Sequence, residues 1–202
     1  MLNKRLVSFV FFASQFLLSA IFLSSVSFAQ NTASGGLSSL FDHKHGLIMR
    51  HARAPGIGDP EGFNIEDCKT QRNLSDEGRS QAREIGQWLK QQGLKEAAVF
   101  SSPWCRARDT AKLLDIGEVH TANELASTFR NQLQFPNKAL DLKGFIVDYL
   151  SSNQSLPLVL VSHEVNISAL LGVETSSGEM VIFELTHNGQ LRSVNTFSAI
   201  DK

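Results

Sequence analysis

The sequence has no block of basic residues and no excess of either charge. The 19 Lys and Arg residues face 20 Asp and Glu residues, which gives a formal net charge of −1 at pH 7. Such a balance provides no general attraction for nucleic acid or for anionic lipid surfaces. We therefore expect no nucleic-acid partner, although this composition is compatible with a local basic pocket.

Cysteine is also scarce, since the chain contains two, Cys68 and Cys105. Two thiols in an oxidising compartment often pair, so a disulfide between them is one expectation. Two free buried thiols, or a catalytic thiol, are the alternatives. The pair His43 and His45 has no nearby Cys or carboxylate pattern that would complete a zinc site, and we expect no bound metal.

Acidic residues are absent from the N-terminal stretch. Lys4 and Arg5 precede an uncharged and mainly apolar run over residues 6–28, which ends with the small residues Ser27 and Ala29 close together. This pattern is typical of a secretory signal peptide, residues 1–29, that is cleaved after its last residue. An uncleaved membrane anchor is the alternative, because the run approaches the roughly 20 residues that span a bilayer. Cleavage would leave a periplasmic or secreted protein with no stable membrane insertion.

The remaining chain has the size of one ordinary domain. Residues 30–44 begin with a polar and glycine-containing sequence and predict a flexible leader, and residues 45–202 predict a single domain. In this domain, short apolar runs such as residues 158–161 alternate with segments of helical periodicity. Alternating strands and helices predict an α/β fold with a mostly parallel central sheet.

Two other segments have clear signals. Residues 52–73 contain several Pro and Gly residues and predict a long irregular loop, which in compact domains is usually functional or mobile. Near the C-terminus, Met180 to Leu185 and Leu191 to Phe197 predict a closing β-hairpin with a turn at His187-Asn188-Gly189.

Cationic or titratable side chains follow three of the predicted buried strands. Arg50 and His51 follow the first strand, and Arg106 lies one turn into the helix after the second. His163 and Glu164 follow a later strand. Ligands of open α/β sheets bind outside the carboxyl ends of parallel strands, and arginine presents a planar fork to two phosphate oxygens at once. The pattern therefore predicts a phosphate-binding pocket at this edge of the sheet.

The same segments resemble those of the histidine phosphatase superfamily, also called the phosphoglycerate mutase-like family. Four pieces carry the resemblance in order within residues 45–197: RHA at 50–52, LSDEGRSQA at 74–82, SSPWCRARDTA at 101–111 and VLVSHE at 159–164. The resemblance implies a three-layer sandwich in which helices flank a mostly parallel central sheet. Ala52 stands where the family has Gly, which adds a methyl group near the expected phosphate.

The resemblance also implies roles for the strand-end residues. His51 would attack phosphorus and carry a phosphohistidine, while Arg50, Arg106 and His163 would hold the phosphoryl oxygens. Arg53, at the expected pocket mouth, is a further candidate for phosphate contact, with a surface position as the alternative. Phosphoryl transfer depends mainly on positioning and preorganised positive charge, so the arginines can serve without a metal or another cofactor. They also lower the pKa of a neighbouring imidazole and keep it nucleophilic.

The leaving alkoxide needs a proton, and three carboxylates are candidates for its donor. Glu164 is the first choice, since the acid-phosphatase branch of the superfamily has an acidic residue directly after the equivalent His. Glu124 is the second choice, because the mutase branch places its acid in the middle of the chain. Asp59, in the long loop, is the third. Each of them has a solvated surface position as the alternative.

These observations predict an exported, metal-independent phosphatase that acts on phosphomonoesters. Its partner would be a small phosphorylated substrate or a phosphorylated component of the cell envelope. Two alternatives stay open at this point. One is a phosphotransferase of the phosphoglycerate mutase type, and the other is a non-catalytic module that binds phosphate without turning it over.

Overall fold

Strands and helices alternate along most of the chain. The computed structural model describes residues 36–129, 135–152 and 155–199, and the predicted signal peptide lies outside this part. The strands are β1 (His45–Arg50), β2 (Ala98–Ser101), β3 (Val119–Thr121), β4 (Leu158–Ser162), β5 (Met180–Leu185) and β6 (Leu191–Phe197). The helices of four residues or more in α conformation are α1 (Asp76–Gln91), α2 (Cys105–Leu114), α3 (Phe135–Ser151) and α4 (Glu164–Leu171). Within the described ranges, no helix is both long and apolar enough to cross a membrane.

The six strands form one sheet in the order β3-β2-β4-β1-β5-β6. The first four of these are mutually parallel, whereas β5 pairs antiparallel with both β1 and β6. The mostly parallel sheet is therefore confirmed, and so is the closing hairpin, whose two strands have the predicted bounds. Every residue of β4 is buried, as expected for a central parallel strand with both faces covered.

The core lies on both faces of the sheet. In β1, Leu47 and Met49 pack with residues of α1 and α2, whereas Ile48 packs on the other side with residues of α3 and α4. This alternation follows from the period of two along a strand. It builds the three-layer α/β sandwich that the resemblance implies, with the ends of β1 and β4 at its centre.

Helix α1 supports the loop that follows β1. It begins after Ser75, whose side chain accepts a hydrogen bond from Gly78 N at 3.1 Å and caps the helix. A Cβ atom at Gly78 would collide with the carbonyl oxygen of Arg53. Glycine at this position therefore allows the backbone after His51 to lie directly on the first turn of α1.

The segment before β1 differs from the predicted flexible leader. A short 3₁₀ helix, Ser38–Phe41, precedes the strand, and both Leu37 and Leu40 are buried in the core cluster under α1 and α2. Burial of two leucines fixes this segment on the domain. The packed domain therefore includes Leu37 and Leu40, which lie before the predicted boundary at residue 45.

The predicted disulfide between Cys68 and Cys105 is present. It connects the long loop after β1 to the first residue of α2, across a sequence separation of 37 residues. The two alternatives, free buried thiols and a catalytic thiol, are therefore wrong for this structure. Arg106 follows Cys105 directly, so the bridge ties the loop to the helix turn that carries a predicted phosphate ligand.

Candidate functional site

The predicted strand ends meet at one edge of the sheet. β1 and β4 are parallel neighbours in which Arg50 pairs with Ser162, so His51 and His163 follow adjacent strand ends. Their ring centroids lie 5.4 Å apart. α2 begins beside them because Ser102, which follows β2, donates its backbone N–H to the β4 carbonyl of Val161.

A cavity of about 160 Å³ opens at this edge. Its wall contains three arginines, two histidines and one carboxylate, together with glycines and a few apolar or small side chains. The lining residues are Arg50, His51, Gly56, Ile57, Gly58, Arg72, Arg106, Ser127, Phe129, His163, Glu164 and Val165. Four of the strand-end residues and Glu164 therefore share one cavity, which is rich in fixed positive charge.

His51 is buried, and its hydrogen bonds define which ring nitrogen carries the hydrogen. Nδ1 lies 2.8 Å from the carbonyl oxygen of Ala52, which can only accept, so Nδ1 donates. Nε2 accepts from Arg106 Nε at 3.2 Å and is therefore the unprotonated nitrogen. Burial, followed by the positive charges of Arg106, Arg72 and Arg50, lowers the pKa of His51 to about 3. The ring is thus a neutral imidazole with the nucleophilic tautomer at Nε2.

The alanine after His51 fits its position. Ala52 is fully buried in a small apolar cluster with Ala54, Leu74 and Ala82, and its N–H donates to Thr110 Oγ1 at 3.0 Å. The methyl group that replaces the glycine hydrogen of the family pattern therefore packs under the loop. It stays clear of the cavity, whose lining does not include this residue.

Arg106 is buried in the first turn of α2 and makes two contacts besides the one to His51. Its Nη1 lies 2.8 Å from Asp59 Oδ1, which forms a buried ion pair. The same Nη1 donates to the carbonyl oxygen of Arg72 at 3.4 Å. These bonds hold the planar guanidinium in a single orientation against the cavity, as recognition of two phosphate oxygens requires.

Asp59 has a structural position, which contradicts its place as the third candidate for the acid. Its Oδ1 also accepts from Arg72 N at 3.0 Å, and its Oδ2 accepts from Trp104 Nε1 at 3.0 Å. Burial alone would raise the pKa of Asp59, but the charge of Arg106 and these hydrogen bonds outweigh burial and lower the pKa. A carboxylate that is held in its charged form in this way is a poor proton donor.

Arg72 is a cation of the site that the sequence interpretation missed. It lines the cavity from the end of the long loop, and its Nε donates to Gly58 O at 2.8 Å while its Nη1 donates to Ala54 O. Hydrophobic periodicity carries no information in an irregular loop. The one sequence feature that could have pointed to Arg72 is its position, two residues before the family-like segment that starts at Leu74.

His163 is fully enclosed beside His51. Its Nε2 lies 2.7 Å from Ser102 Oγ, and that oxygen also accepts from Trp104 N at 3.3 Å. Burial, with smaller effects of His51 and the nearby arginines, lowers the pKa of His163 well below its usual value. The second histidine is therefore neutral as well, and Ser102, which the sequence did not single out, fixes its ring.

Arg50 has a donor without a partner. Its Nη1 donates to Thr175 O at 2.7 Å, whereas its Nε is buried with no hydrogen-bond partner among the described residues. Buried donors in proteins are nearly always paired. An unpaired guanidinium nitrogen beside a cavity that already holds Arg72 and Arg106 is suited to donate to a bound anion.

The remaining candidates divide between the cavity and its surroundings. Glu164, half-buried at the first position of α4, lines the cavity. Glu124 lies in a short 3₁₀ turn and does not line it. Arg53 also lies outside: its side chain is exposed, and its backbone N–H donates to Gln81 Oε1. This placement agrees with the surface alternative for Arg53, whose phosphate contact stays a prediction, whereas Arg72 lines the cavity.

Comparison with known protein families gives a match over the segment that contains much of this cavity wall. Residues 47–129 match the family model of the histidine phosphatase superfamily (branch 1), a segment that includes His51, Arg72 and Arg106. No curated protein sequence matches the chain significantly.

Solved structures share the fold. The product of the open reading frame Rv3214 from Mycobacterium tuberculosis is 19% identical with a TM-score of 0.58, and the match covers 78% of this chain and 99% of that one. The protein histidine phosphatase SixA complexed with tungstate is 20% identical with a TM-score of 0.52, covering 77% and 97%. Mycobacterial glucosyl-3-phosphoglycerate phosphatase Rv2419c with inorganic phosphate is 17% identical with a TM-score of 0.57, covering 77% and 98%. At these identities the likeness establishes the fold alone.

Proposed function

We propose that this chain, whose residues 47–129 belong to the histidine phosphatase superfamily (branch 1), hydrolyses phosphomonoesters through a phosphohistidine on His51. The observation that carries the proposal is the state of the His51 ring. Its Nδ1 donates to a carbonyl, its Nε2 is free of hydrogen, and the ring lines a cavity with three arginines. A neutral imidazole among fixed cations is suited to attack a phosphoryl group.

In the first step, the phosphoryl group of the substrate binds to Arg50, Arg72 and Arg106. His51 Nε2 attacks phosphorus, the new P–N bond forms as the P–O bond to the alcohol breaks, and the departing oxygen takes a proton from an acid. The buried Nε of Arg50 and the donors of Arg106 stabilise the charge on the phosphoryl oxygens. The hydrogen bond from Arg106 to Nε2 is given up as that nitrogen bonds to phosphorus.

In the second step, water attacks the phosphohistidine. The acid, now a carboxylate, accepts a proton from the water, the P–N bond breaks, and inorganic phosphate leaves. We assign the acid to Glu164. It lines the cavity, whereas Glu124 lies outside the lining and Asp59 is held as an anion.

We also propose that the protein is exported to the periplasm or the medium. The N-terminal pattern of basic residues, an uncharged apolar run and small residues supports export. The disulfide between Cys68 and Cys105 agrees with an oxidising compartment. Mass spectrometry of the protein from fractionated cells is the test. A mature N-terminus at Gln30 outside the cytoplasm is expected, and an intact Met1 on cytoplasmic protein would contradict the proposal.

Hydrolysis of p-nitrophenyl phosphate tests the central proposal. The purified protein should hydrolyse p-nitrophenyl phosphate in the presence of a chelator. Activity should extend over roughly pH 4–8, because His51 stays neutral throughout this range. His51→Ala should lower kcat by about 10³-fold or more, since it removes the nucleophile. His187→Ala, an exposed turn residue, is the matched control. An unreactive protein whose His51→Ala variant retains full affinity for phosphate would instead be a phosphate-binding module.

The same assay separates the acid from the other carboxylates. p-Nitrophenolate leaves without protonation, whereas an alkoxide does not, so Glu164→Gln should reduce hydrolysis of ethyl phosphate far more than that of p-nitrophenyl phosphate. Equal losses on both substrates would show that Glu164 is not the proton donor. For Glu124→Gln, the ratio of the rate on ethyl phosphate to the rate on p-nitrophenyl phosphate should equal that of the wild type.

A further inference from the structure

Exposed apolar side chains occur at the mouth of the cavity. Among the described residues, the large exposed hydrophobic side chains are Phe41, Ile57, Phe129, Leu140 and Val194. Two of these, Ile57 and Phe129, line the cavity. Ile57 is 85% exposed and Phe129 is 46% exposed, in contrast to the buried His51 and Arg106 of the same cavity. His51 and Arg106 therefore lie deep in the cavity, whereas Ile57 and Phe129 lie at its entrance.

The loop backbone holds Ile57 in this position. Gly56 and Gly58, on either side of it, have positive φ values of 93° and 70°, which glycine adopts readily and other residues rarely do. Arg72 donates to Gly58 O and to Ala54 O, so the tip of the loop is fastened to a cation of the phosphate pocket. An isoleucine held in water contributes little to folding, whereas here it can contact a molecule that enters the cavity.

Phe129 comes from a different segment, which is also anchored. Asn166 in α4 donates from Nδ2 to Leu125 O at 3.1 Å and to Ala126 O at 2.9 Å. Its Oδ1 accepts from Thr128 Oγ1 at 3.4 Å. These bonds hold the residues just before Phe129 on the helix whose first residue is Glu164. Phe129, which lines the same cavity as the proposed acid, therefore directly follows an anchored segment.

We propose that Ile57 and Phe129, here called the apolar rim, bind the leaving group, and that the substrates are phosphomonoesters of an apolar alkyl or aryl alcohol. This inference rests on the proposed phosphatase function. A cavity of about 160 Å³ with three arginines fits the phosphoryl group, so the rest of the substrate extends past the rim. Besides the cationic and histidine side chains, Ser127 and Glu164 are the polar side chains of the lining. Such a wall offers few partners to the hydroxyl groups of a sugar.

A series of primary alkyl phosphates, from ethyl to hexyl, tests this inference. Chain length changes the apolar area while the pKa of the leaving alcohol stays nearly constant. A methylene group that becomes fully buried changes binding about fourfold, so hexyl phosphate should have a kcat/KM at least about tenfold above that of ethyl phosphate. Ile57→Ser and Phe129→Ser should each reduce the hexyl-to-ethyl ratio, and the double variant should bring it near one.

Two exposed apolar residues outside the cavity provide matched controls. Phe41→Ser, at a site that is 52% exposed, matches Phe129→Ser, and Leu140→Ser, at a site that is 65% exposed, matches Ile57→Ser. Both controls should keep the wild-type ratio. A wild-type ratio near one, or a high ratio that persists in the double variant of the apolar rim, would overturn the inference and leave the phosphatase proposal standing.

A protein that hydrolyses none of the alkyl phosphates would contradict the proposed function instead. Binding then tests the apolar rim on its own, because alkylphosphonates carry the same head group and are not hydrolysed. Hexylphosphonate should bind at least about tenfold more tightly than ethylphosphonate, with loss of the difference in the Ile57→Ser/Phe129→Ser variant. Equal affinities in the wild type would overturn the inference independently of turnover.

Discussion

Two parts of the cavity wall are held in place by different means. The strand-end part consists of Arg50, His51, Arg106 and His163, which lie in or directly after β1, α2 and β4. The loop part consists of residues 54–73. The strand-end part takes its geometry from the register of buried parallel strands, whereas the loop part takes it from side-chain hydrogen bonds and one disulfide. The geometry of the strand-end part is lost only when the sheet unfolds. The loop part can open locally while the sheet stays intact.

Polar contacts join the two parts at the base of α2. Arg106 pairs with Asp59 at 2.8 Å, and Trp104 donates to the same carboxylate. The N–H of Cys105 donates to Gln71 Oε1 at 3.0 Å, beside the disulfide. Both parts contribute cations to one anion site. The contribution of each part to stability and activity can therefore be measured by substitutions in one part at a time.

The largest expected effect concerns acid and the strand-end part. The pKa of His51 is about 3 in the folded protein, against about 6.5 for a free histidine. Above pH 6.5 neither state holds this proton. Between pH 6.5 and 3 the unfolded chain binds it and the folded protein does not, so stability falls by up to about 1.4 kcal/mol per pH unit, or about 4–5 kcal/mol in total.

Urea unfolding at pH 7, 6, 5 and 4 measures this effect in the wild type and in His51→Gln. The variant should lose less stability on acidification, since its neutral amide does not titrate. The pKa of Asp59, in the loop part, is already below its usual range, so that carboxylate weakens the fold only at lower pH. Identical pH slopes for the two proteins would contradict the burial of a neutral His51.

The strand-end part could be predicted from the sequence because its signals are local. Apolar runs such as Val159 to Val161 identify buried strands, and the polar residues that follow them must meet where parallel strands end. His51 and His163 were found in this way, and the bounds of the hairpin β5–β6 agree with the prediction. Helix α4 begins at Glu164, which brings that carboxylate into the first turn.

Apart from its disulfide, the geometry of the loop part could not be predicted, for a physical reason. A loop without periodicity has no preferred face, so its geometry depends on partners that are distant in sequence. Asp59 and Arg106, for example, are 47 residues apart, and the carbonyls that hold Arg72 belong to the loop itself. The same reason explains the leader, because two leucines, Leu37 and Leu40, are too few to show a period, although both enter the core.

The second expected effect compares one arginine from each part. Arg106→Gln should lower kcat/KM by about 10²–10³-fold, as removal of a preorganised donor does, because Arg106 Nε faces the attacking nitrogen. Arg72→Gln should cost about tenfold, a loss typical of one hydrogen bond to a charged group, because Arg72 already spends Nε and Nη1 on carbonyl oxygens. Steady-state kinetics with p-nitrophenyl phosphate measures both.

Arg53→Gln is the control for this pair, since Arg53 is exposed and outside the cavity. Its kcat/KM should stay within about twofold of the wild-type value, as expected for an exposed charge with little electrostatic effect. A larger loss for Arg72→Gln than for Arg106→Gln would reverse the ranking of the two parts. A loss for Arg53→Gln as large as that for Arg72→Gln would restore Arg53 as a phosphate ligand.

The smallest expected effect on activity comes from the disulfide, which belongs to the loop part. Replacing both Cys68 and Cys105 by Ser should lower the free energy of unfolding by about 4 kcal/mol, because the bridge closes a loop between residues 37 positions apart. It should also weaken competitive inhibition by inorganic phosphate by a few-fold, since Arg72 would lose part of its support while His51 keeps its strand-end position. Urea unfolding and phosphate inhibition of p-nitrophenyl phosphate hydrolysis measure the two effects.

A reductant provides the control for this last comparison. It should shift the wild type towards the double serine variant in both measurements and leave that variant itself unchanged. If stability falls while inhibition by phosphate stays the same, the polar contacts of Asp59 and Gln71 hold the loop part without the bridge. If inhibition weakens as far as in Arg72→Gln, the bridge is what positions Arg72. These two outcomes separate the disulfide from the polar contacts as the means by which the loop part, unlike the strand-end part, is held in place.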